Sequence, residues 1–300
     1  MIRPAAGAVG ELSGMADRVR FGVVGTGYWA QVVHAAGIAS HPDTELAAVA
    51  TTYGTEAFAE YDALLGAVDA VTFSVPPAVQ AALAPRAASA GRHLLLEKPL
   101  AIGTAAADGV VAAVRRAGVA SVVFFTDRYV PEREAWLQAL RAEGGCLGAD
   151  ALWLASLQTP DNPFAGSPWR RAEGALWDVG PHAVSALLPV LGPVRGVVGA
   201  RGPGDLVTLV LSHESGASST VRLSLTMPPA ATRSGLEFYR ADGWHARPGG
   251  PFETLDAYRV AAGELVALAR SGATAHRCEA RFGRDVVEVL ERAQHAVDGP

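Results

Sequence analysis

Two textures of apolar and polar positions follow one another along the chain. From Val19 to Phe125, solid apolar runs of strand length alternate with stretches of helical period. The runs are Val19–Val24, Ala70–Ser74, Leu94–Leu96 within HLLLEKPLA, and Ser121–Phe125. Runs without alternation fit strands covered on both faces. Between them, helical patterns reach to about Ser40, run from Pro77 to about Ser89, and run from Thr104 to Arg116. A further strand, Glu45–Ala50, ends in Thr51-Thr52-Tyr53-Gly54 and leads almost directly into a short helix, Tyr61–Leu65, so the usual crossover helix is curtailed. This order of elements predicts an α/β fold with a doubly wound parallel sheet.

Beyond Gly148 the pattern changes. ADALWLASLQT, VRGVVGA, LVTLVLSH, SSTVRLSLTM and LEFYRA are strand-like and separated by Gly, Pro and polar turns. Few helical patterns intervene, which predicts a mostly antiparallel open sheet in a C-terminal α+β unit. One face of such a sheet packs on helices and the other is suited to an oligomer contact. Pro131 opens a bridging helix, PEREAWLQALRAE, and two helices, about Leu255–Arg270 and Arg284–Val297, close the chain. The division expected is a poorly ordered extension over 1–18, the parallel-sheet unit over 19–130, and the open-sheet unit over 131–300.

Composition narrows the function classes. Half of the 300 residues are apolar and 18% are charged, so the material for a core is ample. A net charge of −5 with scattered arginines carries no basic stripe for nucleic acid. No apolar run is long enough to span a membrane, and residues 1–18 lack the apolar core of a signal peptide. Met15 is a second candidate start. Cys146 and Cys278 form neither a CxxC pair nor a zinc spacing, which fits free thiols in a reducing cytoplasm.

The candidate chemistry begins at the first strand. Gly25-Thr26-Gly27-Tyr28-Trp29-Ala30 is a GxGxxA turn between a strand and a helix, the context a dinucleotide-binding Rossmann turn requires. Gly25 permits the tight turn, Gly27 lets backbone approach a pyrophosphate, and Ala30 allows close helix–strand contact. Open α/β sheets bind ligands at the carboxyl ends of their strands. That rule assigns Thr51, Thr52, Ser74, Pro76, Glu97 and Lys98 to the same crevice. No acid for a ribose and no arginine for a 2′-phosphate follows the second strand, so NAD and NADP remain equal candidates. Pro99 ends the fourth strand, and the Lys98–Pro99 bond is one of the few with access to the cis form. Asp178 and His182 stand four apart around Gly180-Pro181, a spacing that puts two side chains on one helix face. No third residue has metal-ligand spacing, and no nucleophile motif occurs.

Taken together, GTGYWA, EKPLA at Glu97–Ala101 and ALWDVGPHA at Ala175–Ala183 resemble the Gfo/Idh/MocA family, that of glucose–fructose oxidoreductase and inositol dehydrogenase. The resemblance runs from about Arg18 to the C-terminus. It implies a Rossmann domain followed by a C-terminal α/β domain on an open sheet, and homodimers or homotetramers formed through that sheet. It also implies Lys98 beside the nicotinamide and the reacting carbon, with Asp178 and His182 on the substrate side. Arg128 and Tyr129, and Trp169-Arg170, fall where members contact nicotinamide or substrate. Gln80 departs from the family pattern, which has histidine after the paired prolines. The expected activity is hydride transfer between NAD(P) and a carbinol or carbonyl carbon of a sugar, polyol or similar small molecule. His182 is then the general acid/base, Lys98 the stabiliser of alkoxide charge, and Asp178 the orienting carboxylate. A dinucleotide-sensing protein without turnover, or a silent binding module, is the alternative.

Overall fold

The computed structural model of the chain describes residues 18–50, 57–157, 159 and 162–299. The expectations for residues 1–17, Thr51 and Thr52 therefore lie outside the described residues. Five strands, β1 (Val19–Val24), β2 (Thr44–Ala50), β3 (Ala70–Phe73), β4 (His93–Glu97) and β5 (Ser121–Phe124), form a sheet in the order β2-β1-β3-β4-β5. All its pairings are parallel. Phe21, Val71, Phe73, Leu94, Leu95 and Leu96 have no exposed surface. Cover on both faces is what made these strands solid apolar runs.

The glycine turn leads into a wide π-helical stretch, Ala30–Ala35, which continues as α1 (Ala36–Ser40). The crossover after β2 departs from expectation: α2 spans Ala57–Ala67, not Tyr61–Leu65. Its apolar positions, Phe58, Tyr61, Leu64 and Leu65, already begin one turn before the expected start. Packing holds it. The Tyr61 hydroxyl donates to the Leu83 carbonyl at 3.0 Å, and Leu64 lies so close to Gly22 that a Cβ there would come within 2.5 Å. Pro77 at the first turn starts α3 (Pro77–Ser89), and α4 (Thr104–Ala117) precedes β5. The bridge α5 (Pro131–Glu143) then leaves the parallel sheet.

The second sheet has six strands in the order β11-β10-β6-β9-β8-β7. They are β6 (Gly148–Leu154), β7 (Val194–Arg201), β8 (Val207–His213), β9 (Ser218–Ser224), β10 (Arg233–Arg240) and β11 (Gly243–Ala246). All pairs are antiparallel except β6 with β9. β11 is an addition to the expected set, a hairpin with β10 turned at Ala241-Asp242, and Gly243, its first residue, has φ +128°. In β8, Val207, Leu209, Leu211 and His213 are buried while Thr208 and Val210 face out. That alternation marks a sheet covered on one face only.

Between β6 and β7 lie α6 (Pro168–Asp178), interrupted at Gly174 (φ +66°), and α7 (Gly180–Leu191). The last two helices return to the first sheet. α8 (Thr254–Ser271) buries Tyr258 against Gly37 of α1, where a Cβ would meet the tyrosine ring at 2.4 Å. Ahead of α9 (Ala280–Asp298), the Cys278 carbonyl accepts from Val123 N–H at 2.7 Å, and Ala280 N–H donates to Ser121 Oγ at 3.0 Å. This segment covers the open edge at β5. No described helix is long and apolar enough to cross a membrane.

Candidate active site

The carboxyl ends of β1, β3 and β4 open on a cleft of about 430 Å³, closed from the other side by the α6–α7 segment. On the first wall, Gly25 has φ +118°, and a Cβ there would meet the Ser74 carbonyl at 2.3 Å. The turn after β1 thus rests directly on the end of β3, and only glycine fits. Gly27 is the reverse case: it lines the cleft, and a Cβ would meet nothing within 4 Å. Beside it, Tyr28, Trp29, Ser74, Pro76 and Pro77 complete the wall. Thr26 is exposed, with its carbonyl taken by the Gln31 side chain at 3.0 Å. A tight glycine turn with clear space in front of it is the cradle a dinucleotide phosphate requires, so these residues fit a nicotinamide dinucleotide.

The floor is the end of β4. The Lys98–Pro99 peptide is cis. Gln80, wholly buried, clasps this turn. Its Oε1 accepts from Glu97 N–H at 2.7 Å, and its Nε2 donates to the carbonyls of Glu97 at 2.8 Å and Leu100 at 3.1 Å. An amide, which donates and accepts at once, suits this place. The departure from the family pattern at this position therefore has a structural use.

Glu97, half-buried, lines the cleft floor beside Lys98. Burial opposes its ionisation, but hydrogen bonding from His34 and the nearby cations prevail and hold its carboxyl below the ordinary value.

Lys98 reaches across to the second half of the chain. Its ammonium donates to the Asp178 carbonyl at 2.7 Å and to Asp178 Oδ1 at 2.8 Å. Arg170 Nε donates to the other carboxylate oxygen at 3.0 Å. Burial would keep Asp178 neutral, yet Lys98 and then Arg170 outweigh it and hold the pKa at about 2. His182, in the first turn of α7, also lines the cleft. Its ring makes no hydrogen bond to the described residues. Desolvation by the surrounding protein, followed by the Lys98 charge, pushes its pKa down to about 4. The i, i+4 spacing of Asp178 and His182 does bring both to one cleft, although across a break between two helices. Asp178 ends α6, with its carboxylate spent on cations and not on a helix cap.

The outer lip is aromatic. Phe164 stands edge-on to Trp29 at 5.6 Å and to Tyr28 at 6.0 Å. The Arg170 guanidinium lies over Phe164 at 4.7 Å and over Trp169 at 5.0 Å. Phe164 thereby joins the glycine turn to α6. Sequence reasoning missed it, although Asn162-Pro163 just before it is a turn signal: Asn162 Oδ1 accepts from Phe164 N–H at 2.9 Å.

Arg128 and Tyr129 need correction. Arg128 is buried behind the cleft, where Nε donates to Glu134 Oε2 at 2.6 Å and Nη1 to the Ser185 carbonyl at 2.8 Å. The Tyr129 hydroxyl is consumed by the Val123 carbonyl at 2.9 Å. A buried guanidinium is stable only when paired, and α5 and α7 supply those partners. It is Thr126, at the head of the same short turn, that lines the cleft.

Residues 19–125 match the Gfo/Idh/MocA oxidoreductase family, described as having an NAD-binding Rossmann fold. The dTDP-3,4-didehydro-2,6-dideoxy-alpha-D-glucose 3-reductase of Streptomyces violaceoruber is 29% identical over 86% of this chain and 84% of that enzyme. D-xylose 1-dehydrogenase (NADP(+)) 2 of Haloferax volcanii is 32% identical over 65% of this chain and 62% of its own length. Among solved structures, the UDP-N-acetylglucosamine 3-dehydrogenase of Acidithiobacillus ferrooxidans shares the fold. It has a TM-score of 0.75 at 21% identity, covering 94% of this chain and 98% of that one. Over residues 19–125, which hold the glycine turn and the lysine at the end of β4, the chain therefore resembles the Gfo/Idh/MocA oxidoreductases, and over most of its length it shares the fold of the solved dehydrogenase structure.

Proposed function

We propose that this chain is an NAD(P)-dependent dehydrogenase or reductase acting on a carbinol or carbonyl carbon of a sugar, polyol or similar small molecule. The observation that carries this reading is the convergence of Lys98, from β4, with Asp178 and His182, from α6 and α7, on the cleft that Gly27 and Ser74 also line. The nicotinamide supplies hydride exchange with the substrate carbon. The chain itself binds, orients and moves the proton. An ammonium has three donors; two are spent on Asp178, and the third is left for the substrate oxygen. Asp178 thus fixes the direction of that donor. With a pKa of about 4, His182 is neutral at pH 7 and takes the hydroxyl proton during oxidation. Reduction runs the same path backwards: His182 returns that proton to the oxygen, while the Lys98 ammonium hydrogen-bonds the oxygen and stabilises its alkoxide charge in both directions. Trp169, Phe164 and Tyr28 offer flat apolar faces suited to a sugar ring.

In this reading residues 19–130 hold the dinucleotide, and residues 131–300 hold the substrate and the oligomer contact. Val198 (71% exposed), Val210 and Trp244 lie on the outer face of the second sheet, and this face meets a second copy in a homodimer or homotetramer. Cys146 and Cys278 are free thiols, in keeping with a reducing cytoplasm. No observation favours the sensing alternative.

The test is fluorescence titration of the wild type and Lys98→Met with NADH and NADPH, followed by turnover on a panel of sugars and polyols. Lys98→Met is expected to bind nucleotide within about threefold of wild type and to lose turnover by roughly three orders of magnitude or more. Retained kcat removes lysine from the mechanism, and absence of nucleotide binding in the wild type removes the oxidoreductase reading.

A further inference from the structure

From α8 to the cleft wall, a line of polar side chains crosses the parallel sheet and ends at Glu97 and Trp29, which line the cleft. The Tyr258 hydroxyl, from α8, is 2.8 Å from Thr72 Oγ1 on β3. Thr72 Oγ1 is 2.8 Å from His34 Nδ1, and His34 Nε2 is 3.0 Å from Glu97 Oε1. The same carboxylate oxygen accepts from Trp29 Nε1 at 2.9 Å, while Oε2 accepts from Lys98 N–H at 3.1 Å. His34, Thr72 and Tyr258 are all at most 1% exposed.

The roles can be assigned by elimination. The indole and the backbone amide can only donate, so Glu97 is an acceptor on both oxygens. A carboxylate held this way receives a proton-bearing Nε2 from His34, leaving Nδ1 to face the two hydroxyls. Polar groups this deep are costly unless paired. Three separate elements, α8, β3 and the π-helical stretch, meet those costs together and deliver one result at Glu97. That carboxylate in turn holds a cleft-wall indole and the backbone from which Lys98 projects.

We propose that His34 is a positioning residue: through Glu97, and braced by Thr72 and Tyr258, it sets the Trp29 indole in the cleft wall and the backbone that presents Lys98. The C-terminal helix α8 is thereby part of the scaffold of the nucleotide-binding half. The kinetic side of this inference rests on the oxidoreductase reading; the spectroscopic side does not.

The experiment follows the indole N–H resonance of Trp29 in the full chain labelled with nitrogen-15, assigned by its loss in Trp29→Phe. In His34→Leu this resonance is expected to move clearly from its wild-type position. In His34→Gln, whose amide can still donate to Glu97, it returns most of the way. Tyr258→Phe, which keeps the ring and removes the hydroxyl, shifts it in the same direction by less, and this variant decides the matter if His34→Leu does not fold. Kinetically, kcat falls on the order of tenfold or more in His34→Leu and is largely restored in His34→Gln, because a misplaced lysine disturbs the reacting geometry. A Trp29 resonance unmoved in both Tyr258→Phe and a folded His34 variant overturns the proposal, as does an equal loss of kcat in His34→Leu and His34→Gln. If the wild type turns over no sugar, the resonance still decides whether His34 holds the indole.

Discussion

Replacing Asp178 with asparagine tests the electrostatic centre of the cleft. The carboxylate is 4% exposed and meets Lys98 at 2.8 Å and Arg170 at 3.0 Å. Its pKa falls from an ordinary 3.8 to about 2. A carboxyl whose folded pKa is depressed adds stability that is fully present above the unfolded value and is lost as pH falls through the folded one. At 1.36 kcal/mol per tenfold, the difference is worth roughly 2–3 kcal/mol at pH 7. Asparagine keeps the shape and the carbonyl facing Lys98, but it turns an N–H towards Arg170 Nε and leaves two cations without their anion. Removing one member of a buried pair costs about 3–5 kcal/mol, so Asp178→Asn should be destabilised by roughly 3 kcal/mol near neutrality. The assay is urea unfolding of both proteins from pH 7 down to about pH 2. The gap between them should narrow as pH falls below about 4, because the wild type is then losing what the variant never had. A gap below about 0.5 kcal/mol at pH 7, or one that stays constant down to pH 2, refutes the assignment of Asp178 as the anion holding both cations.

Three further outcomes follow from other parts of the site. With His182 at about 4, kcat/KM for oxidation should stay level as pH is lowered and fall only near pH 4, where the ring gains its proton; a limb near 6.5 that disappears in His182→Asn would place the ring in a more solvated state than the structure has it. Gly25→Ala puts a Cβ 2.3 Å from the Ser74 carbonyl at φ +118°, so NADH affinity should drop by about tenfold or more and thermal stability should fall by roughly 1–3 kcal/mol, read by fluorescence titration and calorimetry. Val198 and Val210 are cross-strand partners on the outer sheet face, and Val198→Glu with Val210→Glu should lower the mass seen by light scattering to that of one chain without loss of fold, since neither side chain is in the core.

The parts of the molecule legible in the sequence are those governed by local physics. Leu94-Leu95-Leu96 announced a buried strand because no other environment suits three consecutive leucines, and proline directly after Lys98 said where it stops. The glycine turn was legible because Gly25 needs a backbone conformation that other residues avoid. Asp178 and His182 were visible through a spacing that survived even though a break between helices replaced the single helix face. The spacing held for the wrong reason.

Arg128 shows the opposite. The family resemblance set it against nicotinamide or substrate, yet its direction depends on Glu134 and Ser185, which reach it only after α5 and α7 have packed. The extent of α2 depended on Leu64 meeting Gly22 and on Tyr61 meeting Leu83. β11 carried an Asp-Gly turn signal, but four residues of strand are too few to stand out without β10 beside them.

By itself, then, the order of residues determined the two sheets, the glycine turn and the presence of an amine, a carboxylate and an imidazole suited to proton and hydride chemistry, because backbone restriction and apolar periodicity act within a few residues. Only the tertiary structure decided which side chains share the cleft and which are spent as supports. Lys98 meets Asp178 across 80 positions of chain, and Thr72 meets Tyr258 across 186. Those pairings are settled by the burial of charge and hydroxyl groups that cannot be left unpartnered, a condition that exists only once the two halves have closed on each other.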